Sequence, residues 1–129
     1  MKKFLFMTLL AGLFTFASTS SVNAQGLIIN NTDCELSIKV RFGSLNCVSQ
    51  GTVGVVTPPN GLTPIPIPVG TSIIEAKGLY SGGNFIGGIC LFNIGIACSG
   101  LSTSDAVSCQ EACLDYTADL VGNVIIISN

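Results

Sequence analysis

Six cysteines, Cys34, Cys47, Cys90, Cys98, Cys109 and Cys113, are the residues of this chain best suited to chemistry, and no histidine accompanies them. Three chemistries compete. Metal binding through Cys109 and Cys113 needs two further ligands, and zinc sites recruit histidine or a CxxC pair, neither of which is present. A nucleophilic or redox cysteine needs a thiolate stabilised by a neighbouring base or cation, and none adjoins any of the six. The expectation is therefore three structural disulfides formed in an oxidising compartment.

Without histidine, the remaining catalytic device is a pair of carboxylates, as used on glycosides. The candidates are Glu35, Glu75, Glu111 and the aspartates Asp33, Asp105, Asp115 and Asp119. Glu111, Asp115 and Asp119 read as the solvated side of a helix and Glu35 as the outward side of a strand, so no catalytic residue is assigned. Calcium could draw oxygen ligands from Asp33, Glu35 and the Asn30-Asn31 loop. No EF-hand loop or acidic repeat supports it, and neither a metal nor a cofactor is assigned. The glycine pairs Gly82-Gly83 and Gly87-Gly88 suggest tight turns, since a phosphate cradle would need a helix start and usually a lysine beside it.

These residues are carried by a chain that opens like a secretory precursor. Lys2-Lys3 precede an apolar run at residues 4–17, then a polar stretch ends in Val22-Asn23-Ala24. This predicts a signal peptide over residues 1–24, in style like a bacterial leader, and one disulfide-rich β domain over residues 25–129. The expected location is outside the cytoplasm: periplasm, cell surface or medium. Downstream, Lys39, Arg41 and Lys77 face seven acids. Three cations scattered along the chain cannot displace the counterions of a phosphate backbone, so nucleic acid is not expected as a partner. The apolar run at residues 86–97 is too short to span a membrane and is interrupted by Asn93, so no span is expected after leader removal. With 48% hydrophobic and 9% charged residues, the surface must expose small polar and some apolar side chains, and such surfaces associate readily.

Strand patterns dominate. Leu36, Ile38, Val40 and Phe42 alternate with Ser37, Lys39 and Arg41, one set for the core and one for water. Leu27-Ile28-Ile29 makes a short strand before the turn at residues 30–33, and residues 47–56 return as a hairpin partner. Prolines 64, 66 and 68 alternate with Ile65, Ile67 and Val69, predicting an edge strand or polyproline-like extension that deters pairing, with the three apolar residues inward. Residues 71–77 read as a strand, and the run Val124-Ile125-Ile126-Ile127 as a central one or one completed by a neighbouring molecule. A single amphipathic helix is expected near the C-terminus. Ser102, Thr103 and Ser104 offer caps, Asp105 meets the dipole, Ala106, Cys109, Cys113, Tyr116 and Leu120 form a stripe, and Gly122 is the stop. The fold class is thus mainly β, a small disulfide-stabilised sandwich with one α-helix before the final strand.

Geometry constrains the bridges. If residues 34–42 are extended at ~3.3 Å each, the chain cannot return from Phe42 to within ~7 Å of Cys34 by position 47, so Cys34 and Cys47 should not pair. A hairpin with its loop at Asn93-Ile94-Gly95 would set Cys90 opposite Cys98 and favour that bond. Cys34 and Cys47 would then reach the helix cysteines Cys109 and Cys113, in either order.

The function expected is that of a small secreted, non-enzymatic binding or structural protein, its partner an unidentified protein or glycan, or a second copy of itself in a self-assembling surface or matrix component. A secreted carbohydrate-binding module is the first alternative, and a hydrolase that uses carboxylates without histidine is the second. Tyr80, beside Ser81-Gly82-Gly83, is the module's one candidate ligand contact, because the chain has no tryptophan and Tyr116 belongs to the expected helical stripe.

Overall fold

The structure, a computed structural model, describes residues 26–80, 90–109 and 115–129. The leader, the glycine pairs, Glu111 and Cys113 lie outside these residues. Nine strands are described: β1 Gly26–Asn31, β2 Leu36–Gly43, β3 Ser49–Thr57, β4 Gly61–Ile65, β5 Ser72–Tyr80, β6 Phe92–Gly95, β7 Ser104–Val107, β8 Tyr116–Val121 and β9 Val124–Ser128. They form a five-stranded sheet A, ordered β4-β1-β9-β8-β7, and a four-stranded sheet B, ordered β3-β2-β5-β6. Among the described residues no helix is long and apolar enough to cross a membrane.

The two sheets share one core, the pattern of a β-sandwich. Ile28, Ile125 and Ile127 of sheet A and Ile38, Val40, Phe92 and Ile94 of sheet B belong to a single buried cluster. The Phe92 ring meets Tyr116 edge-on, with centroids 6.3 Å apart, the arrangement that aromatic quadrupoles favour. Gly78 makes room for Phe92, since a Cβ there would run into its ring and Ile38. The Tyr116 hydroxyl donates to the Cys90 carbonyl at 2.6 Å, so the core's one phenol is satisfied. Asn30, fully buried, is satisfied too: Nδ2 donates to the Cys34 and Pro58 carbonyls and Oδ1 accepts from the Thr32 amide and hydroxyl.

Period-two alternation explains most of the strands. β2 follows the sequence reading, β9 lies centrally between β1 and β8, and the proline segment supplies only Pro64 and Ile65 to β4 at the edge of sheet A, Pro66, Ile67 and Pro68 lying beyond the strand. There Ile65 and Ile67 are buried, but Val69 is 64% exposed. It precedes Gly70, whose φ of +84° turns the chain away.

Two expectations are overturned. The C-terminal helix is not seen among the described residues: Asp105 and Ala106 lie in β7, Tyr116 and Leu120 in β8, and Asp115 just before it. Tyr116, Ala118 and Leu120 are buried while Thr117 and Asp119 are less so, a period of two that coexists with the three-four spacing read as a helix. Gly122, with φ of +60°, does not stop a helix. It begins the two-residue Gly122-Asn123 loop that pairs Val121 with Val124, as a Gly-first hairpin turn does. Likewise Asn93-Ile94-Gly95 is no hairpin loop. Residues 92–95 form one strand, with Ile94 buried opposite Ala76.

The Cys90 to Cys98 bond falls with that hairpin, because an extended β6 carries the two cysteines to opposite ends. Cys98, in the 3-10 turn Ala97–Ser99, bonds Cys47, and Cys90 bonds Cys109. The expected double clamp of a helix onto the first hairpin is replaced by a clasp within sheet B and a clasp between the sheets. Cys47 and Cys90 both have left-handed backbones, φ 61° and 60°, a conformation that costs a non-glycine residue on the order of 1 kcal/mol. Cys34 is also disulfide-bonded. These bridges fit an oxidising, extracellular-type environment.

Candidate functional site

Strand parity decides what each sheet shows to solvent. On sheet A the outward set includes Leu27, Ile29, Leu62, Val121, Val124 and Ile126, which lie on neighbouring strands in register, Ile29 opposite Leu62 and Ile126, Leu27 opposite Val124 and Val121 opposite Val124, with Thr117 and Asp119 of β8 on the same side and Asp119 opposite Ile126. On sheet B the outward set is mostly polar, with Val56 of β3 and Leu79 of β5, both opposite Ser37, as apolar members. Lys39 and Arg41 come from β2, Glu75 and Lys77 from β5, Thr52 from β3 and Asn93 from β6.

Register then brings the charges together. Lys39 stands opposite Lys77 and Arg41 opposite Glu75. Across the other edge of β2, Lys39 faces Gly54 and Arg41 faces Thr52. Lys39, Arg41, Thr52, Glu75 and Lys77 line one shallow concavity of about 450 Å³. Gly54 leaves open space where a Cβ would stand, which keeps the side of Lys39 clear. The sequence reading of three scattered cations is therefore corrected: Lys39, Arg41 and Lys77 share a face. They are distant along the chain, and only the β2–β5 pairing makes them neighbours.

The electrostatics are uneven. Arg41 Nε lies 3.1 Å from Glu75 Oε1, an ion pair without the alignment of a hydrogen bond, so that nitrogen has no hydrogen-bond partner. Lys39 and Lys77 are exposed, and like charges directly opposed on a sheet are destabilising. Beside Lys77, across β5 and β6, stands Asn93, whose side-chain oxygen is buried and unpartnered. The site thus combines cations that can hold a carboxylate with Thr52 and Glu75 oxygens that can accept from hydroxyls.

Most other candidates are occupied by the fold. Asp105 accepts from the Asn93 amide at 2.9 Å, joining the edges of the two sheets. Asp115 accepts from the Cys109 amide and Asp33 from the Asn60 side chain, each at 2.9 Å. Asp119 lies on the outer side of sheet A and Glu35 is exposed before β2. Among the described residues no group of three His, Cys, Asp or Glu is placed to hold a metal ion. Asn30, offered as a calcium ligand, spends its side chain on the turn around Thr32. Tyr80 closes β5 opposite Leu36, and its side chain lies outside the described residues. Burial, then the Asp105 carboxylate, pushes the Tyr116 hydroxyl well above its ordinary range. It is a buried structural donor.

The residues missed as a site, Lys39, Arg41 and Lys77, left one signal in the sequence. Two of them alternate on a single strand and so had to share a face. Compared with protein-family models, curated proteins and solved structures, the chain matches none.

Proposed function

We propose that the protein is a non-enzymatic binding module, acting outside the cytoplasm, whose outer sheet B face takes an acidic carbohydrate. Lys39, Lys77 and Arg41 hold the carboxylate of a uronic acid unit, and Thr52 and Glu75 accept from its hydroxyls. The observation that carries this reading is the Lys39–Lys77 register pair. A fold selected only for stability would oppose one lysine with an acid, as it does for Arg41 and Glu75. A neutral sugar would want an aromatic platform, which the described part of this face lacks, whereas a charged sugar is held by the cations. Three cations are too few for a nucleic-acid backbone.

Calorimetry with polygalacturonate and with neutral dextran tests the reading. The uronate polymer binds, more weakly as salt rises, and dextran does not. Reversing both lysines, Lys39→Glu with Lys77→Glu, weakens binding about tenfold or more, since each exposed ion pair contributes up to about 1 kcal/mol. Equal binding of dextran, or unchanged affinity in the double variant, overturns it.

A further inference from the structure

Strand direction assigns each connection to one end of the sandwich or the other. At one end lie the connections 44–48, 66–71, 96–103 and 122–123, together with the start of β1 at Gly26. The Cys47–Cys98 bond ties the first of these to the third. Asn123 Oδ1 accepts from the Ile73 amide at 3.0 Å, and Leu45, Ile96, Thr103 and Asn123 line one shared cavity of about 270 Å³. Six large apolar side chains are exposed among the described residues, and four of them are here: Leu45 at 70%, Val48 at 63%, Val69 at 64% and Val121, bordering the last turn, at 62%. None of the four connections contains an Asp, Glu, Lys or Arg. The opposite end carries Asp33, Glu35 and Asp115. Apolar side chains gathered at one uncharged end mark an interaction surface.

We infer that this end docks on a net-neutral lipid bilayer, with Leu45, Val48, Val69 and Val121 entering the boundary between headgroups and acyl chains. The backbone there is prepared for lipid, where an unbonded amide is costly. The Cys47 and Val48 amides donate to the Ser44 carbonyl and hydroxyl, the Thr71 amide to the Pro68 carbonyl, and the Ser99 and Gly100 amides to the Ile96 and Ala97 carbonyls. Pro66 and Pro68 have no amide hydrogen to satisfy. The nearest charges, Arg41, Glu75, Asp105 and Asp119, stand inside strands, two or more residues back from the connections, so the tips enter without them.

The chain also arrives at this end. Eight residues, 18–25, separate the apolar run of the expected leader from Gly26, and fully extended they reach only about 26 Å. A precursor with its leader in the membrane therefore holds this end, and not the acidic one, toward the bilayer. A second copy of the chain is the poorer occupant. Four apolar tips are few against the about 20 to 30 residues a side of a standard protein interface, whereas a peripheral lipid contact asks for no matching shape. Anionic lipid is disfavoured as well, since the end offers no cation and the chain after residue 24 has three cations against seven acids. Docked in this way, the strands run toward the lipid and the outer face of sheet B stays in water. The docking does not depend on what that face binds.

Co-sedimentation of the oxidised chain, residues 25–129, with phosphatidylcholine vesicles tests it, since every described strand lies within those residues. The chain binds, and salt leaves the affinity unchanged. Leu45→Asp with Val69→Asp lowers the partition coefficient about tenfold or more, while Leu62→Asp, at a side chain 67% exposed near the opposite end, does not alter it. Where circular dichroism shows that the paired aspartates unfold the chain, tryptophan carries the test, because the chain has none of its own. Val69→Trp emission moves to shorter wavelength on the vesicles, and Leu62→Trp emission does not. No binding at millimolar lipid, binding confined to anionic phosphatidylglycerol vesicles at low salt, an unaffected double variant, an equal loss in Leu62→Asp, or an unshifted Val69→Trp emission overturns the inference.

Discussion

On the outside of sheet A, Leu27, Ile29, Leu62, Val121, Val124 and Ile126 adjoin one another in register. On the outside of sheet B the same alternation exposes Lys39, Arg41, Thr52, Glu75 and Lys77. After residue 24 the chain has three cations, and every one of them lies on one side. The inward rows of both sheets are alike, isoleucine and valine around Phe92 and Tyr116, so stability asks nothing different of the two sheets. The apolar row needs only its own neighbours for partial cover, whereas the opposed lysines cost stability, a cost that the proposed ligand would offset.

The bridges offer the largest test of that contrast. Cys47–Cys98 joins two ends of sheet B across 51 residues, and Cys90–Cys109 joins the sheets across 19. Chain-entropy arguments put the first near ~4 kcal/mol and the second near ~3 kcal/mol. Urea denaturation of the paired alanine variants should therefore show the larger loss for Cys47→Ala with Cys98→Ala. The opposite order would mean that the junction between sheets, not the clasp beside the cationic face, governs the fold.

A smaller effect is expected at Tyr116, which belongs to sheet A but donates to Cys90 at the entry to sheet B. Tyr116→Phe removes that bond and costs about 1 kcal/mol. The raised value of the buried phenol also gives a pH signature. Folded protein keeps this proton at pH values where an unfolded tyrosine, ordinarily titrating near 10, has lost it. The contribution is thus complete below about pH 10 and declines as pH rises above it. Denaturation between pH 8 and 11 should show this alkaline loss in wild type and a shallower one in Tyr116→Phe.

The smallest change in stability separates the faces most clearly. Lys77→Glu replaces the like-charged pair with Lys39 by an attractive one and should stabilise the chain by roughly 0.5 kcal/mol while weakening uronate binding. A variant that is more stable and binds less well supports a functional reason for the two lysines. One that loses stability assigns them to the fold, and the two faces would then differ in composition only.

Legibility followed the range of the interactions. β2 was readable because Leu36, Ile38, Val40 and Phe42 alternate without interruption, and β4 because proline restricts its own backbone. β7 and β8 were not, because their apolar spacing satisfies both periods. The Gly122-Asn123 dipeptide, a hairpin signal between two apolar runs, is the local clue to strands that reading Gly122 as a helix stop passes over. The cysteine pairing depends on β6 being a strand and not a loop, since one misplaced turn moves Cys98 from one end of a strand to the other. As for the site, the shared parity of Lys39 and Arg41 was visible, but the presence of Lys77 beside them was not.

The order of residues alone settled a disulfide-bearing, strand-rich chain of low charge, because hydrophobic alternation, proline and cysteine act over a few residues and carry their meaning with them. Which cysteines meet, and that Lys39 stands opposite Lys77, were decided by the folded state. Strand neighbours and their register are set by how two sheets close over one shared core, a requirement that no short stretch of sequence contains.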